Sequence, residues 1–403
     1  MCDAELLSTF QSLTTAHAVP RDVEIVDGSP YIRSFPYNSG EGIRSDLQPL
    51  APDLLGQSLL DRDFLLSEGL RSLSNERIVE ALRRTVDELI DRDGFDLHDL
   101  SFPSTSATYY HSRNGLGCVA DVREFLAARY GSDNKEKEKV VEKLGKVIKG
   151  LTPEVNVLGD RSALLVDVSH YDDLRRDICA GLQNELAYTD YEAVELVALP
   201  ESLKVRVISK GSGLKATALK PLQKHLHSCL RRFNCFRLIG QPESSEIITE
   251  AFQKFSDGSF SFHSGDYKAA TNELFSFASK TVCRRIGEIL ELSDDMMEYF
   301  EDDLIHNEIL LPRSLQKGKM DKEDVPRAVQ VRGQLMGAIT SFPVLCIVNA
   351  AITRMVCELD RKTKISLRDP DCGILINGDD VACAYVSPAF PRYKSCFTSF
   401  VGP

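Results

Sequence analysis

Tryptophan is absent from the 403 residues, no two cysteines form a CxxC pair, and neither an internal repeat nor a long low-complexity stretch is visible. Without paired cysteines at ligand spacing, zinc ribbons and thioredoxin-like redox centres are excluded. Eleven cysteines, an odd number, are no closed disulfide framework. They fit a reducing compartment, where thiols are mostly buried as small hydrophobes. The N-terminus has no apolar core of a secretory signal. The longest apolar stretch, residues 342–352, contains Pro343 and Asn349 and is too short to span a bilayer, so no membrane segment is expected. Histidines number eight, with no HExxH and no Ser-His-Asp pattern, which leaves hydrolase readings weak.

What is present describes an ordinary globular protein. A hydrophobic fraction of 43% and a charged fraction of 27% predict a sizeable core rather than disorder. The length allows two or three domains or one multi-lobed enzyme. A net charge of −12 argues against a protein that coats nucleic acid over its whole surface. It leaves room for local phosphate sites, because the distribution of charge matters more than its sum.

Residues 20–70 are rich in Pro, Gly, Ser and Asp and read as loops and turns of an N-terminal extension. Ser74 is placed to cap a helix carrying Ile78, Val79, Leu82, Val86, Leu89 and Ile90 on one face and ending near Gly94. Lys135–Lys149 reads as an exposed helix with one buried stripe, and Ala163–Val168 as a buried strand. Val205–Ile208 reads as a strand, followed by a turn at Gly211 and Gly213 and a helix over Lys215–Phe233 interrupted near Pro221. Helices are expected over Thr271–Leu290 and within Met336–Leu359. Ile374–Ile376 and Val381–Ala384 flank Gly378-Asp379-Asp380 as the strands of a hairpin. Helix and strand without regular alternation predict an α+β fold.

Four elements carry chemistry. Two adjacent carboxylates on a tight turn repel, and a hard divalent cation relieves them. Composition alone produces Gly-Asp-Asp in about one chain of this length in fifteen, so the apolar flanks are what raise Asp379 and Asp380 above chance. Asp266 follows Phe260-Ser261-Phe262 and precedes a helix. It is either a helix N-cap or a strand-end carboxylate facing the hairpin tip, the second being what a two-metal site needs. Residues 203–241 hold nine bases, among them Lys204, Arg206 and Lys210, and no acid, as a phosphate-holding surface would. The alternative for them is a solvated basic face. Lys204 and Arg206 alternate on a strand and therefore share a face. The fourth element runs from Arg332 to Asn349, with Gly337 permitting an unusual backbone and Ser341 and Asn349 adding donors.

In this order the elements resemble the motifs of positive-strand RNA virus polymerases, above all those of the ourmia-like (botourmiavirus) group, with narnaviruses and levivirus-like phages more distant. Lys204–Gly211 resembles the nucleotide-entry motif F, Ser264–Leu274 motif A, Gly333–Asn349 motif B, and Ile376–Asp380 motif C. The likeness is strong over about residues 200–384, faint over 100–130, and hardly present at the N-terminus. It implies an RNA-directed RNA polymerase with a right-hand fold: residues 1–110 an extension, 111–250 fingers, and 251–403 a palm whose antiparallel sheet is flanked by helices. It implies that Asp266 and Asp379, assisted by Asp380, hold Mg2+, or Mn2+ in its place, while an RNA 3'-hydroxyl attacks the α-phosphate of an NTP. Lys204, Arg206 and Lys210 would hold the triphosphate, and Ser341 and Asn349 would check the ribose 2'-hydroxyl. The implied partners are RNA template, RNA product and NTPs, and the implied setting is replication of a mycovirus-like genome in the host cytoplasm.

Two departures stand out. Asn272 occupies the place of a second motif A aspartate; it can still hydrogen-bond a ribose hydroxyl. Only 23 residues, 381–403, follow Asp380, too few for motifs D and E and a thumb, so a truncated chain is expected. Lys394 is considered for the pyrophosphate-protonating lysine of motif D, and that reading is not favoured. The alternative function is a catalytically inactive RNA-binding polymerase remnant. A reverse transcriptase, which shares the palm, is disfavoured by Asn377-Gly378 ahead of the acids.

Overall fold

The computed structural model describes residues 2–14, 23–26, 29–33, 47–49, 75–99, 103–130, 180–181, 193–202, 205–241, 244–267, 270–312, 325–399 and 401–402. The expected helix over Lys135–Lys149, the strand Ala163–Val168, Ser74 and Lys204 lie outside them. Among the described residues the fold is α+β, with helices and three separate sheets. The first is a small antiparallel meander, β1 (Val23–Val26), β2 (Ser29–Arg33) and β3 (Leu47–Pro49), in the stretch expected to be loops and turns.

The centre of the molecule is a helix pair. Helix α1 (Cys2–Thr14) is followed by α2 (Asn75–Leu89), which has Ile78, Leu82, Val86 and Leu89 at three- and four-residue spacing. All four are at most 1% exposed, and burying each is worth roughly 1.5–3 kcal/mol. Helix α3 (Cys118–Tyr130) precedes β4 (Ala193–Pro200) and β5 (Val205–Lys210), which pair antiparallel. Pro221 lies in the first turn of α5 (Lys220–Arg231) and separates it from α4 (Gly213–Ala218), as the sequence suggested. Then come α6 (Ser245–Phe252), β6 (Ser261–Gly265), the single turn α7 (Ala270–Glu273), α8 (Ser276–Leu290) and α9 (Asp294–Leu304). Strands β7 (Glu308–Leu310) and β8 (Arg327–Val329) complete a four-stranded sheet in the order β5-β4-β7-β8, with β4 and β7 parallel.

Helix α10 (Ser341–Arg361) is apolar on all sides, and fifteen of its residues are buried, as expected of a helix enclosed by other elements. By length and composition it could cross a membrane. Counting only to Ile352 missed the turns that carry Met355, Val356 and Cys357. Its apolar window is 78% buried inside the protein, so α2, α8 and the third sheet cover that surface. The third sheet has the order β6-β10-β9, all antiparallel, from β9 (Ile374–Asn377) and β10 (Asp380–Tyr385), and α11 (Phe390–Ser399) packs on α10. Alternation divides the sheet's side chains. Ile374, Ile376, Val381 and Cys383 join the α10 core, while Leu375 and Ala384 pack with Phe252 and Phe255 on the other face. The main core takes residues from each of the expected segments 1–110, 111–250 and 251–403, and the four-stranded sheet joins the last two.

Ion pairs fasten α2 to α10. Arg84 donates twice to Glu358, at 2.9 and 2.8 Å. Arg354 is 1% exposed and pairs with Glu88 while donating to Thr85 Oγ1 at 2.6 Å. Burial pulls the Arg354 guanidinium below its usual range, and the Glu88 carboxylate opposes that shift. Glu88→Ala leaves a buried cation unpaired and is expected to lower stability by about 3–5 kcal/mol. Urea unfolding of the variant beside Glu80→Ala checks this; equal losses in the two would contradict it.

Candidate active site

The hairpin forms as its sequence predicts. Asn377 is registered with Asp380, leaving Gly378-Asp379 as a two-residue loop. Gly378 has φ +71°, and no positive φ occurs at Asp379, the pattern of a type II′ turn with Gly at its first central position. The turn is held from behind by α10. Gly378 N–H points at Cys346 Sγ, 3.2 Å away. Asn349 Nδ2 donates to the carbonyls of Gly378 at 3.0 Å and Asp379 at 3.1 Å, with that of Asp380 at 3.4 Å. Burial pushes the Cys346 thiol up to about 12, so it stays neutral.

Asp266 comes to this turn through strand register. Strand β6 pairs with β10, Gly265 opposite Val381 and Ser264 opposite Ala382. The ladder ends at Gly265–Val381, so Asp266 is the first residue beyond β6, at the sheet end where β10 begins with Asp380. Asp266 and Asp380 are exposed and Asp379 is half-buried. Like charges at one sheet end repel, and hard carboxylate oxygens are the donors Mg2+ and Mn2+ take. The three acids therefore fit a divalent cation. Asp266 caps no helix: α7 starts four residues later, at Ala270.

The basic strand is less bare than its sequence. Strand β4 and the turn after it supply acids: Lys210 Nζ lies 2.6 Å from Glu195 directly across the sheet, and Arg206 Nε 3.2 Å from Glu201. Two further bases are structural, Arg232 pairing with Asp91 and Arg237 with Glu250. Lys210, Lys215 and Lys220 nevertheless line one cavity of about 230 Å³ with Ser209, Ser212 and Gly337. Burial, then Lys224, lowers the Lys220 ammonium from its usual range.

Gly337 is glycine for a different reason from the one expected. Its φ is not positive. Instead a Cβ there would lie 1.9 Å from the Ser209 carbonyl oxygen, so the close approach of β5 to the segment entering α10 excludes any side chain. Ser341 is buried and donates to Gln334 Oε1 at 3.1 Å. Asn349 is fully buried and its amide is occupied by the turn, so a ribose contact would first have to break those bonds. Asn272 is half-buried on α7.

Several participants were not legible in sequence. Asp303, buried with its carboxyl raised from the usual range by desolvation, accepts from Thr340 N–H and Oγ1 at 3.2 and 2.8 Å and so caps α10. Phe342, 37% exposed, stacks on His227 at 5.6 Å and stands beside Gly378. Asp121 accepts from Gly213 N–H at 2.9 Å and holds His111 Nδ1 at 2.5 Å, tying residues 103–130 to the end of the basic strand. Lys394 is buried and bonded to Tyr267 and Thr353. Asp91, His225 and Cys229 lie close enough together to suggest a metal site, yet Arg232 already neutralises Asp91 and His225 Nε2 is bonded to the Asp91 carbonyl oxygen at 2.7 Å. These three are a satisfied core cluster.

Carboxylates gathered at one end of an antiparallel sheet, behind which a buried helix fixes the turn, make a site for a divalent cation and the phosphates it would carry. Comparison with known proteins finds a likeness: the chain is similar to the RNA-dependent RNA polymerase of Ourmia melon virus (isolate Melon/Iran/VE9), 28% identical over 319 residues, which cover 76% of this chain. It spans about a third (34%) of that curated relative's length. Among solved structures, the RNA-dependent RNA polymerase of a human picorbirnavirus is similar at a TM-score of 0.38 with 11% identity, over 51% of this chain and 38% of that one. No family model matches.

Two measurements test the local geometry. Gly337→Ala is expected to lose about 1–3 kcal/mol or more, as overpacking against backbone does, while Gly115→Ala, with only ordinary contacts, changes little; denaturant unfolding compares them, and equal behaviour would contradict the close approach. The Asp121 hydrogen bond, then the charges of Glu124 and Asp121, raise the His111 imidazole above its usual value against the opposing effect of burial. A raised folded-state value means the stabilisation is complete below about pH 6.5 and is lost as pH rises through the folded value. His111→Ala should therefore be more destabilising at pH 6 than at pH 8.5, which melting at the two pH values checks.

Proposed function

We propose that this chain carries the nucleotidyl-transfer centre of a viral RNA-dependent RNA polymerase, with residues 251–403 as palm and 111–250 as fingers of a right-hand fold, copying a positive-strand RNA genome in a host cell. The observation that supports the reading is the β6–β10 register, whose ladder ends at Gly265–Val381, one residue before Asp266 on one strand and beside the Gly378–Asp380 turn on the other. The similarity to the ourmiavirus polymerase supports it too.

In this reading Asp266 and Asp379, with Asp380 beside them, hold Mg2+ or Mn2+. Such a cation, when bound, lowers the pKa of the attacking 3'-hydroxyl and neutralises the pyrophosphate. The protein's own part is placement. The rigid turn fixes the carboxylates before substrate arrives, and such preorganisation costs nothing at the moment of reaction. Lys204, Arg206 and Lys210 hold the triphosphate, Arg206 and Lys210 exchanging Glu201 and Glu195 for phosphate oxygens. Asn272, six residues after Asp266, is the group given to the ribose hydroxyl. Ser341 and Asn349 support it from their buried positions.

Purified protein, supplied with an RNA template, primer, NTPs and Mg2+, is expected to extend the primer. Asp266→Asn and Asp379→Asn should each lower incorporation at least about a thousandfold, the scale of losing a group that stabilises transition-state charge. Equal incorporation by both variants and the parent would overturn the site. Salt-sensitive RNA binding with no extension at any Mg2+ or Mn2+ concentration would favour the binding-only remnant instead.

A further inference from the structure

Behind the turn lies a closed ring of four buried side chains, and its hydrogen bonds run in one consistent direction. Lys394 Nζ lies 2.6 Å from Tyr267 Oη and 3.0 Å from Thr353 Oγ1. Tyr267 Oη lies 2.9 Å, and Thr353 Oγ1 3.1 Å, from Asn349 Oδ1. Lys394 is 4% exposed, Tyr267 9%, Thr353 and Asn349 0%. An ammonium can only donate. Both hydroxyls therefore accept from Lys394, which leaves the single proton of each available to Asn349. With two hydroxyl donors at one end and backbone carbonyls, which only accept, at the other, the Asn349 amide is satisfied with its oxygen toward the ring. The NH2 end is then the one that faces the turn, where it meets the Gly378 and Asp379 carbonyls.

We propose that Lys394 is a positioning residue for the metal-binding turn: its buried ammonium polarises Tyr267 and Thr353 so that they donate more strongly to Asn349 Oδ1 and hold the amide with its donors on the Gly378–Asp380 backbone. This rests on the reading of Asp266, Asp379 and Asp380 as cation ligands. Among the described residues no carboxylate lies within salt-bridge distance of Lys394. Its charge is met by two hydroxyls and by the Tyr267 ring, whose centre is 4.8 Å away. Burying a cation in such a place is unfavourable compared with an apolar side chain of the same length. Directional control over an amide is what the ammonium adds and a methionine would not. Without it the two hydroxyls are weaker donors, and the amide is held less firmly against the turn carbonyls. The turn loosens, and the acids it carries lose their fixed spacing.

Tyr267 and Asp266 are consecutive, so the same ring reaches both carboxylate-bearing elements. Strand β6 enters through Tyr267, the hairpin through Asn349, and α11 supplies the cation that orders them. The account makes Mn2+ affinity, not merely folding, depend on Lys394.

The test is Mn2+ binding by the purified 403-residue protein, read from loss of the free-ion electron paramagnetic resonance signal at a temperature where circular dichroism shows every variant folded. Lys394→Met and Tyr267→Phe should each weaken Mn2+ binding about two- to tenfold, the effect of one ordinary hydrogen bond. Thr353→Val should do likewise, and Thr353→Ser, which restores the hydroxyl, should recover the parent affinity. Asp379→Asn is the control for the underlying reading and should abolish the binding. If Asp379→Asn binds Mn2+ as the parent does, the metal-site reading fails and the proposal with it. If that control behaves as expected and the affinities of folded Lys394→Met and Tyr267→Phe match the parent, the ring is only structural and the proposal is overturned. Tyr267→Phe keeps the ring and removes one oxygen, so it decides the matter should Lys394→Met not fold.

Discussion

Asn349 is the contact on which the candidate site depends. Its amide bonds to two consecutive carbonyls of the Gly378–Asp379 loop from inside a helix that is itself enclosed. A two-residue turn bearing adjacent carboxylates is electrostatically unfavourable by itself, and the fold stabilises it by making the helix behind it immovable. The clamps at Arg84–Glu358 and Arg354–Glu88 serve the same end from the far side of α10, and Asp303 fixes its first turn through Thr340. A change at α2 therefore reaches the turn through α10, with no contact between α2 and the acids required.

The two halves of the site are assembled by different kinds of constraint. The placement of Asp266 just beyond β6 depends on register: slipping β6 by one residue would move every side chain of the strand to the opposite face of the sheet. Phe262 packs edge-on against Phe252 and helps pin that register. The basic strand reaches the segment entering α10 by close backbone approach at Gly337 and Ser209. Its charges are paired with acids of β4 and the following turn, which keeps arginine and lysine ordered until a more strongly charged anion competes for them. A net negative chain can thus present an ordered basic strand.

Much of this was legible in the sequence, for identifiable reasons. The hairpin was readable because Gly378 and two apolar runs have local rules, and α2 because its apolar residues repeat every three to four positions. The break at Pro221 follows from the missing proline N–H. Pairing of β6 with β10 involves residues more than a hundred apart, and only the order of motifs suggested it. The Lys394 ring was invisible, since nothing local marks a lysine that will be buried against Tyr267 and Thr353. Gly337 was noticed for the wrong property, conformational freedom, when the constraint was the space taken by a distant carbonyl. The nine-base run was read without the acids that a neighbouring strand supplies, because cross-strand partners are not sequence neighbours.

The central claim is that carboxylates from two separate elements converge on one cation. Crystals soaked with Mn2+ and measured at its absorption edge test this directly. The account predicts an anomalous peak at the ends of β6 and the hairpin, ligated by Asp266 together with Asp379 or Asp380. Well-ordered acids with no peak between them at millimolar Mn2+, or a peak bound by the hairpin alone with Asp266 turned away, would contradict it.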